Sequence, residues 1–302
     1  MNSDDRSEGA DGPRSPSDPD VARVAAINRK AGTRYVATGR ASTGTLGGGV
    51  LIDLGDGRTG VVTRFHGPRA HADQTAAIAN QLRQQGLPIA AHRRVVELED
   101  SIYFVQERLP GLPPPRIPSV DALQAIVAAN DAFRDALADR TDVPLLPMCL
   151  VPDHDPVTAR HDQIAAHSRA TRRVLEHIHA LGHHPEDGLG NDAFHIDLTP
   201  SNILMSDGTV SGIVDWNLGI YRGDRDRALV KLCFELEREP VSQDRESAVR
   251  YLDQILAERV PPETLRRYWA SRLVYELHWA VQTGADKAVE AMLGIVDERV
   301  VL

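Results

Sequence analysis

Short apolar runs punctuated by glycine fill the first third of the chain, and apolar positions at helical spacing fill most of the rest. Tyr35 to Thr38 predicts a strand, followed by the glycine-rich Gly39 to Gly49. Val50 to Leu54 and Gly60 to Phe65 flank Gly55-Asp56-Gly57, and Asp-Gly between two apolar runs signals a hairpin. Residues 70–85 have helical composition and stop at Gly86, with Pro88 just beyond. A second hairpin pairs Val95, Val96 and Leu98 with Ile102, Phe104 and Val105 around Glu99-Asp100-Ser101. Five strands and one inserted helix result.

The glycine and five prolines of LPGLPPPRIP, residues 109–118, can continue neither sheet nor helix and read as a connector. Beyond it, Ser119 caps a helix carrying Val120, Leu123, Ile126, Phe133 and Leu137, and Ile164, Val174, Ile178 and Leu181 mark another. More helices fill the last 60 residues. The predicted organisation is a solvated acidic tail over 1–20, a β-rich lobe over 21–108, the connector over 109–118 and a helical lobe over 119–302, an α+β fold.

Composition narrows the class. No apolar stretch approaches the ~20 residues of a membrane helix, since the longest candidate, Val143 to Val151, is broken by Pro144 and Pro147. The N-terminus lacks an apolar signal region, so a cytoplasmic protein with no membrane partner is expected. Cys149 and Cys233 stand alone in apolar surroundings and suit small buried thiols. Net charge is −9, but residues 21–113 hold 12 Lys and Arg against 7 Asp and Glu, whereas residues 114–302 hold 20 against 30. That asymmetry suggests an anionic ligand for the first part and a cationic one for the second, and argues against nucleic acid.

One segment of the helical half, FHIDLTPSNILMSDGTVSGIVDWNLG at 194–219, departs from helical patterning. Ile203-Leu204-Met205 and Val210 to Val214 lie either side of Ser206-Asp207-Gly208-Thr209 and should pair as a hairpin. Its outer ends, Asn202 and Asp215, then converge from thirteen residues apart. An amide oxygen and a carboxylate, completed by phosphate and water, suit Mg²⁺. Asp197, five residues before Asn202, is placed to take a proton from an incoming hydroxyl. The order His195-x-Asp197, then Asn202, then Asp215 matches a phosphoryl-transfer template.

On these residues the chain resembles the aminoglycoside phosphotransferase family of small-molecule kinases. HIDLTPSNILMSDGTVSGIVDW is similar to that family's catalytic loop and metal-binding strand, and Arg222-Gly223-Asp224 to the Gly-Asp that follows. The resemblance covers most of residues 34–300 and implies a two-lobed protein-kinase-like fold, with a five-stranded antiparallel sheet and one helix in the N-lobe and a catalytic hairpin in a mostly helical C-lobe. It further implies that Asp197 is the catalytic Asp, that Asn202 and Asp215 hold Mg²⁺, and that His195 is a scaffold residue of the loop. ATP or GTP would be the phosphate donor, its purine held by backbone groups around Glu107 and Leu109 in FVQERLP.

The chain also departs from the family pattern. Its three lysines, Lys30, Lys231 and Lys287, all lie off the third strand, where Arg64 stands at the place of the phosphate-holding cation, with Asp73 as a partner. Ser42, Thr43 and Gly44, within STGTLGGG, would cover phosphates with backbone N–H groups, although the run is not G-x-G-x-x-G. Ala228 replaces a later family Asp, and Asp226 stands nearby as a substitute. Glu235, Glu237, Glu239 and Glu276 offer charge for a cationic acceptor such as an aminoglycoside or another basic antibiotic. Two alternatives stay open: a metabolite kinase acting on an amino alcohol, amino acid or sugar, and a nucleotide-binding pseudokinase without turnover. His177, His179, His183 and His184 lack the spacing of a zinc site, and no P-loop, G-x-S-x-G or C-x-x-C is present.

Overall fold

The computed structural model describes residues 14–41, 48–55, 57–99, 101–152, 160–182, 184, 186 and 188–301. The chain divides into two compact units, one of Met1–Leu112, Leu204–Ser206 and Ser211–Gly219, the other of Pro113–Ile203, Asp207–Val210 and Ile220–Leu302.

The first unit opens with helix α1 (Asp18–Ala31), continues through strands β1 (Val36–Arg40), β2 (Val50–Asp53) and β3 (Thr59–Phe65), helix α2 (Arg69–Gln84), and strands β4 (His92–Leu98) and β5 (Ser101–Glu107). The strands form one antiparallel sheet in the order β1-β2-β3-β5-β4, the five strands and inserted helix expected from the sequence. Alternation gives the sheet two apolar faces. Val24 and Ile27 of α1 pack with Val50, Ile52, Val62, Val96 and Val105 on one, and Ala72 and Ala76 of α2 pack with Phe65, Ile102 and Phe104 on the other.

Helix α1 corrects the reading of residues 1–20 as tail, because it starts at Asp18. Ser17 and Asp20 form a reciprocal capping box and Gly32 closes the helix in the left-handed region at φ 65°. Asp20 is buried; it accepts from the Ser17 hydroxyl at 2.7 Å and pairs with Arg40 at 3.1 Å. The unit also takes in the residues after the connector's start: Leu112 bridges to Met205, the Ser211 hydroxyl donates to the Pro110 carbonyl at 2.6 Å, and the Ile213 N–H donates to Pro88 at 2.6 Å.

The remaining elements are helices α3 (Val120–Asp131), α4 (His161–His167) and α5 (Arg169–Leu181), strands β6 (Asp192–Phe194), β7 (Ile203–Ser206), β8 (Thr209–Ile213) and β9 (Tyr221–Gly223), and helices α6 (Asp226–Glu237), α7 (Gln243–Arg259), α8 (Pro262–Gln282) and α9 (Asp286–Val296). Strand β6 pairs with β9, and β7 with β8 as the expected hairpin. Ser119 caps α3, as its position suggested, by accepting from the Ala122 N–H at 3.3 Å. The helix stops at Asp131, short of Phe133 and Leu137, which are buried in the turns that follow; Asp135 there has φ 53°. Ile164 sits on α4 and Val174, Ile178 and Leu181 on α5, because Ser168 ends the first and caps the second. Among the described residues no helix is long and apolar enough to cross a membrane.

Candidate active site

The loop between β6 and β7 carries His195, Asp197 and Asn202, all in the second unit. Two constraints shape it. The buried His195 ring accepts the Asp197 backbone N–H at Nδ1, 3.2 Å away, so the imidazole braces the turn from inside. Asn202 closes a short helical turn (Pro200–Asn202) and donates its side-chain amide to the Asp197 carbonyl at 2.9 Å and to Asp197 Oδ2 at 3.3 Å. The nitrogen of the Asn202 amide is thus given to Asp197.

The Asp197 side chain is 41% exposed, while the cation beside it is 5% exposed. That cation is Lys231 of α6, whose Nζ lies 3.2 Å from Asp197 Oδ1 and 2.6 Å from both Glu235 Oε1 and Glu276 Oε1. Arg272 of α8 joins the group, 3.2 Å from Glu276 Oε1 and donating to the Ile196 carbonyl at 2.5 Å. Desolvation pushes the Asp197 carboxyl upward, but Lys231, His195 and Arg272 together outweigh it and hold it below the ordinary carboxylate range. Desolvation likewise works against the Lys231 charge, and Glu276, Asp197 and Glu235 keep it an ammonium.

These contacts revise the reading of the acidic residues. Glu276 is buried and its charge is balanced by Lys231 and Arg272; Glu235 is shared by Lys231 and Arg238; Glu237 pairs with Arg299. Of this set, Glu239 lies half-buried just past the end of α6. Asp226 pairs with Arg259 at 3.2 Å and belongs to a structural ion network rather than to the loop. His179 hydrogen-bonds His161, 2.9 Å away, and His183 lies outside the described residues.

Asp215 falls in the first unit, just after β8, with φ 66°. Its carboxylate accepts from the side-chain amide of Asn217, whose own oxygen accepts the Thr63 hydroxyl of β3 at 2.8 Å. Gln106 of β5 in turn donates to Thr63 at 2.6 Å. Arg64 is exposed and, by strand alternation, shares the face of Val62 that α1 covers, opposite Thr63 and Phe65. The anticipated pair with Asp73 is not formed: Asp73 binds Arg69 at 2.9 Å. Period-two alternation along β3 fixes the face on which Arg64 lies. At the end of β5 the Glu107 N–H is spent on the Ala91 carbonyl at 2.9 Å, and Arg108 N–H on Thr59 at 3.2 Å, so the buried Leu109 is the next residue along. Ser42, Thr43 and Gly44 lie outside the described residues.

Lys231, Arg272 and Asn217 were absent from the sequence-based site. The one signal for Lys231 was its i,i+4 spacing to Glu235 on a helix.

The fold agrees with the comparisons. The model of the phosphotransferase enzyme family, APH, matches residues 49–221, and the chain belongs to that family. It is a phosphotransferase enzyme. None of the curated proteins matches it. Among solved structures it is similar to a thermostable mutant of aminoglycoside phosphotransferase APH(4)-Ia in ternary complex with AMP-PNP and hygromycin B, at TM-score 0.65 and 19% identity, covering 86% of this chain and 91% of that one. It is also similar to an aminoglycoside-3'-phosphotransferase of type VIII, at TM-score 0.55, 20% identity and coverage of 84% and 97%. A third is the macrolide 2'-phosphotransferase MphH from Brachybacterium faecium, at TM-score 0.55, 16% identity and coverage of 89% and 96%.

Proposed function

We propose that this enzyme moves the γ-phosphoryl group of ATP or GTP to a hydroxyl of a small cationic acceptor, of the kind an aminoglycoside or other basic antibiotic offers, and so inactivates it. The observation that carries the reading is Asp197: a carboxylate held ionised by Lys231 yet open to solvent on its own side. Asp197 accepts the acceptor's hydroxyl proton as that oxygen attacks the γ-phosphorus. The new O–P bond forms as the bond from the γ-phosphorus to its bridging oxygen breaks, and the electron pair leaves with the nucleoside diphosphate. A positioned base of this kind contributes roughly 10²–10⁴-fold.

Each residue assigned to the cation carries a hard oxygen of the type Mg²⁺ takes: Asn202 an amide oxygen, its nitrogen being given to Asp197, and Asp215 a carboxylate. When bound, Mg²⁺ would neutralise charge on the phosphate oxygens. Leu109, beyond the spent N–H groups of Glu107 and Arg108, is assigned the purine's backbone contact. Arg64 is given no phosphate role, since its face of β3 is the one α1 covers.

Support for a cationic acceptor comes from the excess of 30 acidic over 20 basic residues in 114–302 and from the hygromycin B named in the complex of a structural neighbour. Of Glu235, Glu237, Glu239 and Glu276, Glu239 is the one assigned to a cationic acceptor, since the other three are paired with Lys231, Arg238, Arg272 or Arg299. A second reading, a metabolite carrying little charge, draws on the neutralisation of Glu235 and Glu276 by Lys231 and Arg272.

The test is mass spectrometry of pooled hydroxyl-bearing basic antibiotics and small metabolites after incubation with the purified protein, Mg²⁺ and ATP or GTP. A gain of one phosphate on a basic antibiotic supports the first reading, and on a neutral metabolite the second. Asp197→Asn must abolish whichever product forms. Product formation by Asp197→Asn at the parent rate would overturn the assignment.

A further inference from the structure

The side chain of Lys231 enters the catalytic loop from α6, outside the sequence segment that carries the family motif. An ammonium has three protons to give. All three directions are occupied by carboxylates: Glu235 and Glu276 at 2.6 Å and Asp197 at 3.2 Å. A lysine beside a reacting carboxylate could instead clamp a phosphate oxygen, but this one is buried and has no proton left over for that task. Its two shorter contacts go to the less exposed carboxylates, Glu235 and Glu276, and anchor it, while the longer one reaches the more exposed Asp197. Arg272 repeats the arrangement one residue earlier, holding Glu276 with one nitrogen and the Ile196 carbonyl with another. One buried cluster, built on α6 and α8, therefore grips the loop at both Ile196 and Asp197.

We infer that Lys231 is a positioning residue: anchored by Glu235 and Glu276, it fixes the direction in which Asp197 presents its carboxylate to the acceptor hydroxyl. The inference rests on the phosphotransfer reading of Asp197, but its structural half can be examined without any acceptor. Misplacing a base by about 1 Å can cost on the order of 10²-fold in rate, so the effect belongs in kcat. Because the Lys231 ammonium is engaged by three carboxylates, KM for the nucleotide should be kept.

Two variants are compared with the parent as full-length protein. Lys231→Met alone would leave the buried Glu276 without its shorter ion pair and with Arg272 as its one remaining counter-charge, so Lys231→Met is combined with Glu276→Gln; Lys231→Arg is the conservative variant. Hydrogen exchange of the amides of residues 195–203, read without ligand, should quicken at least tenfold in the double variant and return toward the parent in Lys231→Arg. Unchanged exchange in the double variant overturns the inference. With MgATP, and with hygromycin B or water as the phosphate acceptor, kcat of the double variant should fall about 30-fold or more while KM for ATP stays within about twofold, with partial recovery in Lys231→Arg. A rise in KM for ATP with kcat kept would identify Lys231 as a phosphate clamp and overturn the inference. If the parent itself transfers phosphate to nothing, the reading of Asp197 as a base fails, and the exchange result alone decides whether Lys231 holds the loop.

Discussion

Asn217 donates its side-chain amide to the carboxylate of Asp215, two residues before it. The same Asn217 accepts from Thr63 of β3 at 2.8 Å and its carbonyl accepts the His66 N–H at 2.9 Å, so a loop residue ties Asp215 to the sheet. Asp215 needs that support, because a non-glycine residue at φ 66° sits in a sparsely populated region that Asp tolerates better than most. Asn217→Ala should therefore lower affinity for MgATP about fivefold, the worth of roughly one hydrogen bond at about 1 kcal/mol. Isothermal titration with MgATP checks this, with Asp215→Ala expected to be weaker still. Parent-like affinity in Asn217→Ala would show that the tie is idle.

What could be read from the sequence was what is local. Gly86 with Pro88, Ser119 before Val120, and Ser206 to Thr209 between two apolar runs each mark their own boundary, and the structure has an element boundary at each. Helix α1 carries the same kind of signal, Ser17 to Asp20 and then Gly32, but its start overlaps an acidic stretch whose composition alone resembles a solvated tail. Lys231 and Arg272 reach Asp197 and Ile196 across separations of 34 and 76 residues, and no spacing rule connects those positions. Arg64 is the opposite case: its alternation with Val62 is legible in GVVTRF and places it on the face that α1 covers.

Acid should weaken the first unit through His92. The ring is buried against Phe104 with centroids 4.6 Å apart, and Nδ1 lies 3.0 Å from the Ala90 carbonyl. Desolvation, only partly offset by that carbonyl, lowers its pKa from 6.5 to about 4. The unfolded chain then binds a proton that the folded one refuses, so stability is full above pH 6.5 and is lost as pH falls toward 4. Between pH 7 and 5 the loss is about 2 kcal/mol from this one group. Urea unfolding at the two pH values should show it in the parent, and His92→Leu should remove that share of the difference. An identical pH dependence in both proteins would deny His92 the role.

A largely buried ion network should make the second unit sensitive to the loss of one charged partner. Arg225 donates to Asp192 at 2.9 Å and to Asp131 at 3.1 Å, and Arg259 bridges Asp131 and Asp226 at 2.8 and 3.2 Å. Arg225 and Asp192 are each about one-tenth exposed, so removing one leaves the other charged and desolvated. Arg225→Ala is expected to cost about 3–5 kcal/mol, seen as a lower denaturation midpoint. Arg225→Met with Asp192→Asn should recover much of that loss, because no unpaired charge remains. Equal losses in the single and double variants would mean that packing, not charge, sets the cost.

The two thiols offer a probe of how the second unit opens. Cys149 and Cys233 are both buried, and Cys233 lies 3.8 Å from Asp253 Oδ1. Burial, reinforced by the Asp253 charge, pushes the Cys233 thiol well above its ordinary value, so almost none of it is the thiolate that reacts. A disulfide reagent such as DTNB at pH 8 should therefore label neither cysteine in the folded protein and both in denaturant. The slow labelling that remains should follow opening of the unit, and its rate for Cys233 should rise in Arg299→Ala, since Arg299 ties Asp253 to Glu237 beside that thiol. Rapid labelling of Cys233 in the unperturbed protein would contradict both its burial and its raised pKa. An unchanged rate in Arg299→Ala would separate the ion cluster from the opening that exposes the thiol.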